Sequence, residues 1–211
     1  PFNLTASQDD YDTAINIINT SNTALNKLKK NDELIDFPEY LRNSKAILIF
    51  PEIYEGGLIF GAKGGNGILF VRNNKEWSGP FFYTMGGLSF GLQIGVKSGK
   101  VAMTVMSPRG LKSILKERVK IGVDVDAAVG NGIGYSAEST IRLADIFSFS
   151  DNKGLFLGGS FEGSYLQPRD DLNLALHKKN FNHNEIINKL VIHTSSKKII
   201  NTLNSIEFDR K

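Results

Sequence analysis

The chain has 211 residues, 41% of them hydrophobic and 22% charged, with no cysteine and a formal net charge of +3. That is the composition of a globular chain, and it excludes a disordered tail, disulfides, thiolate metal sites, a cysteine nucleophile and a cysteine lipid anchor within these residues. The longest unbroken apolar run, Ala46-Ile47-Leu48-Ile49-Phe50, is far short of the ~20 residues that a membrane-spanning helix needs.

All 21 glycines fall between Gly56 and Gly163. The ends of the chain are therefore expected to be helical and the middle to be sheet. Ser7-Gln8-Asp9-Asp10 reads as a capping box with Asp in place of Glu. After it, Tyr11, Ala14, Ile18, Ser21, Leu25 and Leu28 recur at helical spacing. Asn16, Asn19, Asn22 and Asn26 lie off that stripe and are expected to face water. Pro38 opens a short second helix through Leu41-Arg42. Ala46–Phe50 reads as a buried strand stopped by Pro51. Gly57–Gly61 and Gly67–Val71 read as a hairpin around Gly64-Gly65-Asn66, with a further turn at Asn73-Asn74. Trp77–Thr84, Leu88–Val96 and Val101–Met106 follow as strands, the last two separated by a tight turn at Ser98-Gly99. Pro108 opens a helical stretch over Leu111–Val119. Val123–Val129, Asp145–Ser150 and Leu155–Leu166 complete the sheet. Helical spacing returns from Asn184 to Phe208. The spacing divides the chain into an N-terminal helical segment 1–43, a glycine-rich β segment 44–170 and a C-terminal helical segment 171–211, all expected in one structural domain. A chain beginning at Pro1 is expected to be already trimmed.

Charge is uneven. Residues 1–55 are net −4, residues 56–163 net +4 and residues 164–211 net +3. The densest cluster is Arg109, Lys112, Lys116, Arg118 and Lys120, opposed within that run only by Glu117. Such a run is either a solvated helix face or a contact for an anionic partner.

Three motifs suggest other chemistry. Gly87-Leu88-Ser89-Phe90-Gly91 matches a nucleophile elbow, which needs a strand, a strained turn and a helix. Here Gln93-Ile94-Gly95-Val96 continues as strand, so a Ser89 hydrolase is the less favoured reading. Gly132-x-Gly134-x-x-Ala137 matches a dinucleotide fingerprint. Asp124 and Asp126 break the preceding strand, however, and strand–helix alternation is missing. Asp124-x-Asp126 lacks the glycine and glutamate of a calcium loop. His177, His183 and His193 all lie near the C-terminus and argue against a histidine-rich metal centre. A further pattern, Gly-Leu-x-apolar-Gly, recurs at Gly57, Gly87 and Gly154. Gly87, Gly91 and Gly95 would bare one face of a strand, as bend points of a strongly coiled sheet or barrel do.

An ordered series of motifs resembles the SYLF domain family. Ser44-Lys45-Ala46-Ile47-Leu48-Ile49-Phe50-Pro51 resembles its opening. Gly56–Gly67 looks like its glycine-rich hairpin, Trp77-Ser78-Gly79-Pro80-Phe81 is similar to its W-S-x-P signature, and Gly91-Leu92-Gln93-Ile94-Gly95 matches G-x-Q-I-G. Val129–Gly134 stands where the family reads G-P-x-G, with Asn131 replacing the proline. Phe149-Ser150, Gly154-Leu155-Phe156 and Phe161-Glu162-Gly163 resemble the later series, whereas the family's final Y-G is replaced by Leu176-His177. The likeness covers about residues 38–208. It implies a non-catalytic lipid-binding module without a cofactor. Eukaryotic relatives bind phosphoinositides and in some cases actin, and bacterial relatives are mostly exported, periplasmic or membrane-associated.

The reading is thus an α+β fold: a coiled antiparallel sheet or small barrel with N- and C-terminal helices packed on it. The expected function is association with anionic phospholipid or membrane surfaces through Arg109, Lys112, Lys116, Arg118 and Lys120. The alternative is a protein-interaction or filament-binding module using the same face. No nucleic-acid partner is expected. An exported, periplasmic or membrane-peripheral bacterial setting is expected.

Overall fold

The computed structural model describes residues 7–57, 60–90, 95–130, 144–152 and 161–208. Helix α1 (Gln8–Lys29) begins at the expected box. The Ser7 hydroxyl accepts the Asp10 N–H and the Asp10 carboxylate accepts the Ser7 N–H, both at 3.1 Å. Asp9 and Asp10 in its first turn and Lys27 and Lys29 in its last complement the helix dipole. Ala14, Ile18, Ser21, Leu25 and Leu28 are buried. Asn16 and Asn19 face water and Asn26 is half-buried, but Asn22 is buried. Its side-chain oxygen accepts the Thr202 hydroxyl at 2.8 Å, because a C-terminal helix packs along that side. Helix α2 (Phe37–Asn43) carries Pro38 in its first turn, as expected.

A curled, eight-stranded mixed sheet follows. Its strands are β1 (Ala46–Gly57), β2 (Phe60–Asn73), β3 (Glu76–Phe90), β4 (Gly95–Val105), β5 (Val119–Lys120), β6 (Ala127–Val129), β7 (Ile146–Ser150) and β8 (Tyr165–Pro168). Their spatial order is β5-β8-β3-β2-β1-β4-β7-β6. All ladders are antiparallel except β6 with β7.

Several expected breaks are absent. Pro51 does not end β1. The register shifts there against both neighbours, and a bulge tolerates a residue without an N–H. Gly64-Gly65-Asn66 is not a turn but the middle of β2, paired with Gly86, Met85 and Thr84 on β3. The β1–β2 connection, residues 58–59, lies outside the described residues. Ser98-Gly99 is not a turn either: both residues pair with β1. Asn74-Lys75 is a two-residue hairpin turn with φ of 47° and 80°, one step beyond the expected pair. Val123–Val125 is not strand. The Asp124 carboxylate accepts the Lys120 N–H at 2.8 Å and folds this segment into a loop, leaving only Ala127–Val129 to pair. Gly91, the Gly132–Ala137 motif and Gly154–Gly158 lie outside the described residues.

Helix α3 (Pro108–Ile114) opens with the Ser107 hydroxyl accepting the Gly110 N–H at 2.8 Å, and is shorter than expected. Val119, assigned to it by spacing, belongs to β5. The C-terminal segment holds α4 (Asp170–His177), α5 (His183–Asn188), a 3-10 turn (Thr194–Ser196) and α6 (Lys197–Glu207). The continuous helical spacing from Asn184 is interrupted at Lys189–His193. There the chain runs beside β3, with the Gly79 N–H donating to the Val191 carbonyl at 2.7 Å.

Both faces of the sheet are buried over most of its area. Ile47, Ile49, Ile68, Phe70 and Phe82 pack against α1, α2, α4 and α6. Leu48, Phe50, Leu69, Tyr83 and Met103 pack against α3, β5 and Phe161. Ile199, Leu203 and Ile206 of α6 are fully buried, each contributing about 1.5–3 kcal/mol of apolar transfer. Helices from both ends of the chain therefore cover one face of the central sheet.

Candidate interaction site

The five basic residues of the 109–120 run do not share one environment. Arg109, on α3, donates to Asp126 at 2.9 Å and to Asp145 at 2.5 Å. These bonds, Asp126 first, hold its guanidinium pKa above the ordinary value. Asp145 is buried and also accepts the Ser107 hydroxyl and the Asp126 N–H. Arg109 is thus committed to tying α3 to the start of β7. Lys112 and Lys116 lie on and just after α3 and are exposed. Arg118 stacks its guanidinium over the Tyr165 ring at 3.9 Å. Lys120 is exposed on β5, with its N–H held by Asp124. Among the described residues, the side chains of Lys112, Lys116, Arg118 and Lys120 make no ion pair.

Arg118 and Lys120 open onto a groove of about 730 Å³, whose walls include Leu88, Asp124, Glu162 and Tyr165. Strand β8 creates it by pairing with both β3 and β5, which are far apart in sequence. Leu88 and Val123 are 69% and 73% exposed. A smaller cavity of about 400 Å³ lies over Phe81, Tyr83 and Phe181, with Glu117 and Asp170 among its lining residues. Burial, then Asp171 and Glu117, push the Asp170 carboxyl up.

Leu88 and Tyr165 were not picked out as contact residues by sequence. Their only signals were an apolar residue inside a glycine-rich strand and an aromatic at the expected last strand; the pairing that joins them to Arg118 is not local. Lys63 was also passed over. It is buried with its ammonium 5.2 Å from the Phe161 ring, and burial lowers its pKa while Glu55 opposes the shift.

Ser89 belongs to β3 and pairs with Gly61, and Phe90 continues the strand. A nucleophile elbow places its serine in the turn after a strand, so the backbone at Ser89 is the wrong one. The His177 Nε2–H donates to the Pro80 carbonyl at 2.7 Å, and His193 caps the 3-10 turn by accepting the Ser195 N–H. Both imidazoles are engaged in packing the C-terminal segment.

The curled sheet thus carries cations that make no ion pair among the described residues, two of them lining a groove with exposed Leu88. Residues 86–206 match the family model described as Ysc84, Las17-binding protein actin regulator, and the chain belongs to that family. It is 30% identical over 148 residues to an SH3 domain-containing protein of Schizosaccharomyces pombe, covering 67% of this chain and 34% of that one. It is 27% identical over 150 residues to LAS seventeen-binding protein 3 of Saccharomyces cerevisiae, covering 68% and 32%. The human SH3 domain-containing YSC84-like protein 1 is 29% identical over 126 residues, covering 57% and 36%. The chain therefore spans about a third of the length of the curated relatives it matches. No solved structure matches it. These relatives are fungal and mammalian and lend no support to a bacterial setting.

Proposed function

We propose that the chain is a protein-interaction module that docks an anionic protein surface of the actin machinery. The family's description, with its Las17 binding and actin regulation, favours this alternative over the lipid reading. The observation that carries it is the set Lys112, Lys116, Arg118 and Lys120, exposed or stacked on an aromatic ring and without ion pairs among the described residues, with Arg118 and Lys120 lining the groove. Four such charges steer and orient an acidic partner. The test is co-sedimentation with filamentous actin and capture by Las17, each across a salt series. Lys112→Glu with Lys116→Glu changes the local charge by four units and is expected to abolish binding while leaving the melting temperature in place. Salt is expected to weaken the wild type, since the Debye length falls from ~10 Å at 0.1 M to ~3 Å at 1 M. Binding that survives both the reversal and high salt overturns the proposal.

A second reading, peripheral binding to anionic membranes, draws on the same cations at ~1 kcal/mol each and on the exposed side chains of Leu88 and Val123 beside them. An exported or membrane-peripheral setting belongs to that reading alone. Vesicles with and without acidic lipid separate it from the first: it fails if acidic vesicles bind no better than zwitterionic ones.

A further inference from the structure

The register of the ladders sets the side chains of six strands in rows on one face of the sheet, because directly paired residues point the same way. One row runs Lys120, Tyr165, Gly86, Gly64, Tyr54, Ser98. The next, two residues further out along the four long strands, runs Leu88, Ala62, Gly56, Val96. Further in, the same face is closed by helix α1: Lys27 reaches Asp151 at 2.9 Å, and Arg169, on the other side, bonds Asn66 of β2 at 2.9 Å. Beyond that closure the outer rows are open. Tyr54 is 55%, Leu88 69% and Val96 78% exposed, and Ala62 is exposed too.

Gly86 has a local explanation, since a β-carbon there would lie 2.7 Å from the Tyr165 hydroxyl oxygen. Among the described residues no such packing explains Leu88 and Val96, which project from a four-stranded ladder, while the Tyr54 hydroxyl is hydrogen-bonded to Glu52. Strands stand ~4.8 Å apart, so the Leu88-to-Val96 row spans about 14 Å, roughly three turns of helix or four extended residues. Charge gives this ledge a direction. Arg118 and Lys120 lie at the Leu88 end. Asp124, whose carboxylate accepts the Lys120 N–H, and Glu162, which has contacts of its own, line the same groove. Among the described residues neither Arg118 nor Lys120 is in an ion pair.

We propose that this ledge is the apolar half of the docking surface and takes an acidic amphipathic segment of a partner protein. Its apolar side chains lie along the row from Leu88 to Val96, and its carboxylates face Arg118 and Lys120. This rests on the protein-interaction reading above and supplies what that reading lacks, an apolar determinant and a polarity. Apolar contacts at the centre with charges at the rim are the usual division of labour in such an interface.

The probe is a synthetic twelve-residue peptide with a central Leu-Phe pair flanked by two carboxylates on each side, and a counterpart with Ala-Ala at its centre. Binding to the full chain is followed by backbone amide shifts. The expected result is saturable shifts at Leu88, Ala62 and Val96, with the Ala-Ala peptide at least tenfold weaker. Leu88→Ser with Val96→Ser weakens the Leu-Phe peptide at least tenfold at unchanged melting temperature, as does Arg118→Glu with Lys120→Glu. Equal binding of the two peptides, abolished only by the charge reversal, overturns the apolar ledge while the charge-driven reading stands. Binding indifferent to the charge reversal overturns that reading as well. Shifts at these amides with acidic vesicles but with neither peptide overturn the protein occupant in favour of a membrane.

Discussion

A β-carbon added at Gly65 would meet the carbonyl oxygen of Glu52 and lie 3.4 Å from the Ile53 α-carbon, where β1 bulges after Pro51. The glycine lets the two backbones approach at that bulge. Gly65→Val is expected to cost about 1–3 kcal/mol, read as a lower denaturation midpoint; an unchanged midpoint would mean that the strands have room to separate. Single residues were legible in the sequence when their partners were local. The Ser7–Asp10 box needs only four consecutive residues, and Pro38 sets its own φ. Asn22 was misjudged because its partner, Thr202, is 180 residues away. Arg109 was grouped with four cations that make no ion pair among the described residues, because nothing in its neighbourhood announces that Asp145 reaches it.

At the level of elements, the clearest test is the way the C-terminal segment is held. Arg72 bonds Glu207 at 2.7 Å with both side chains mostly buried, and its guanidinium also lies 4.0 Å over the Trp77 ring. Glu207→Gln removes the charge while keeping the shape and is expected to cost about 1.5–3 kcal/mol, as lost hydrogen bonds to a charged group do; a thermal melt checks it. Higher up, the His177 and His193 rings stand 6.1 Å apart. Burial holds both below the ordinary 6.5, and His193 lowers His177 further, against the Pro80 bond that raises it. The folded chain therefore binds fewer protons here than the unfolded one. Its stability is whole above pH ~6.5 and declines as pH falls through the folded pKa values. Melting temperatures between pH 7.5 and 5 are expected to fall more steeply for the wild type than for His177→Gln with His193→Gln; parallel slopes would show that these imidazoles are not the source. Helices proved easier to read than strands. An amphipathic stripe survives whatever packs on it, whereas Pro51, Gly64-Gly65 and Ser98-Gly99 are local turn signals that the long β1–β2–β4 ladders override.

For the molecule as a whole, α1 and α6 share one buried cluster with the middle of the sheet. Leu203→Ala, at a fully buried position in α6, is expected to cost about 2–5 kcal/mol. If α6 merely rests on the sheet, chemical denaturation of this variant will instead show an early, separate transition. The α+β class was legible from the glycine distribution alone, and the cationic run from simple counting. The groove was not. It exists because β8 is inserted between β3 and β5, a crossover that no local pattern encodes.

The edges of the sheet carry a consequence for recognition. Strand β5 has two residues and β6 three, and they are the outermost members of the ladder. Recruiting a partner by strand addition takes a run of open N–H and C=O groups along an edge; these two outermost strands are too short to offer one, whereas Gly87–Phe90 of β3 and Gly95–Gly99 of β4 have no outer ladder partner among the described residues. Strand addition would therefore have to use those inner stretches and not the two outermost strands. Everywhere else on the sheet a visitor would meet side chains face-on, without a main-chain template to tolerate any sequence.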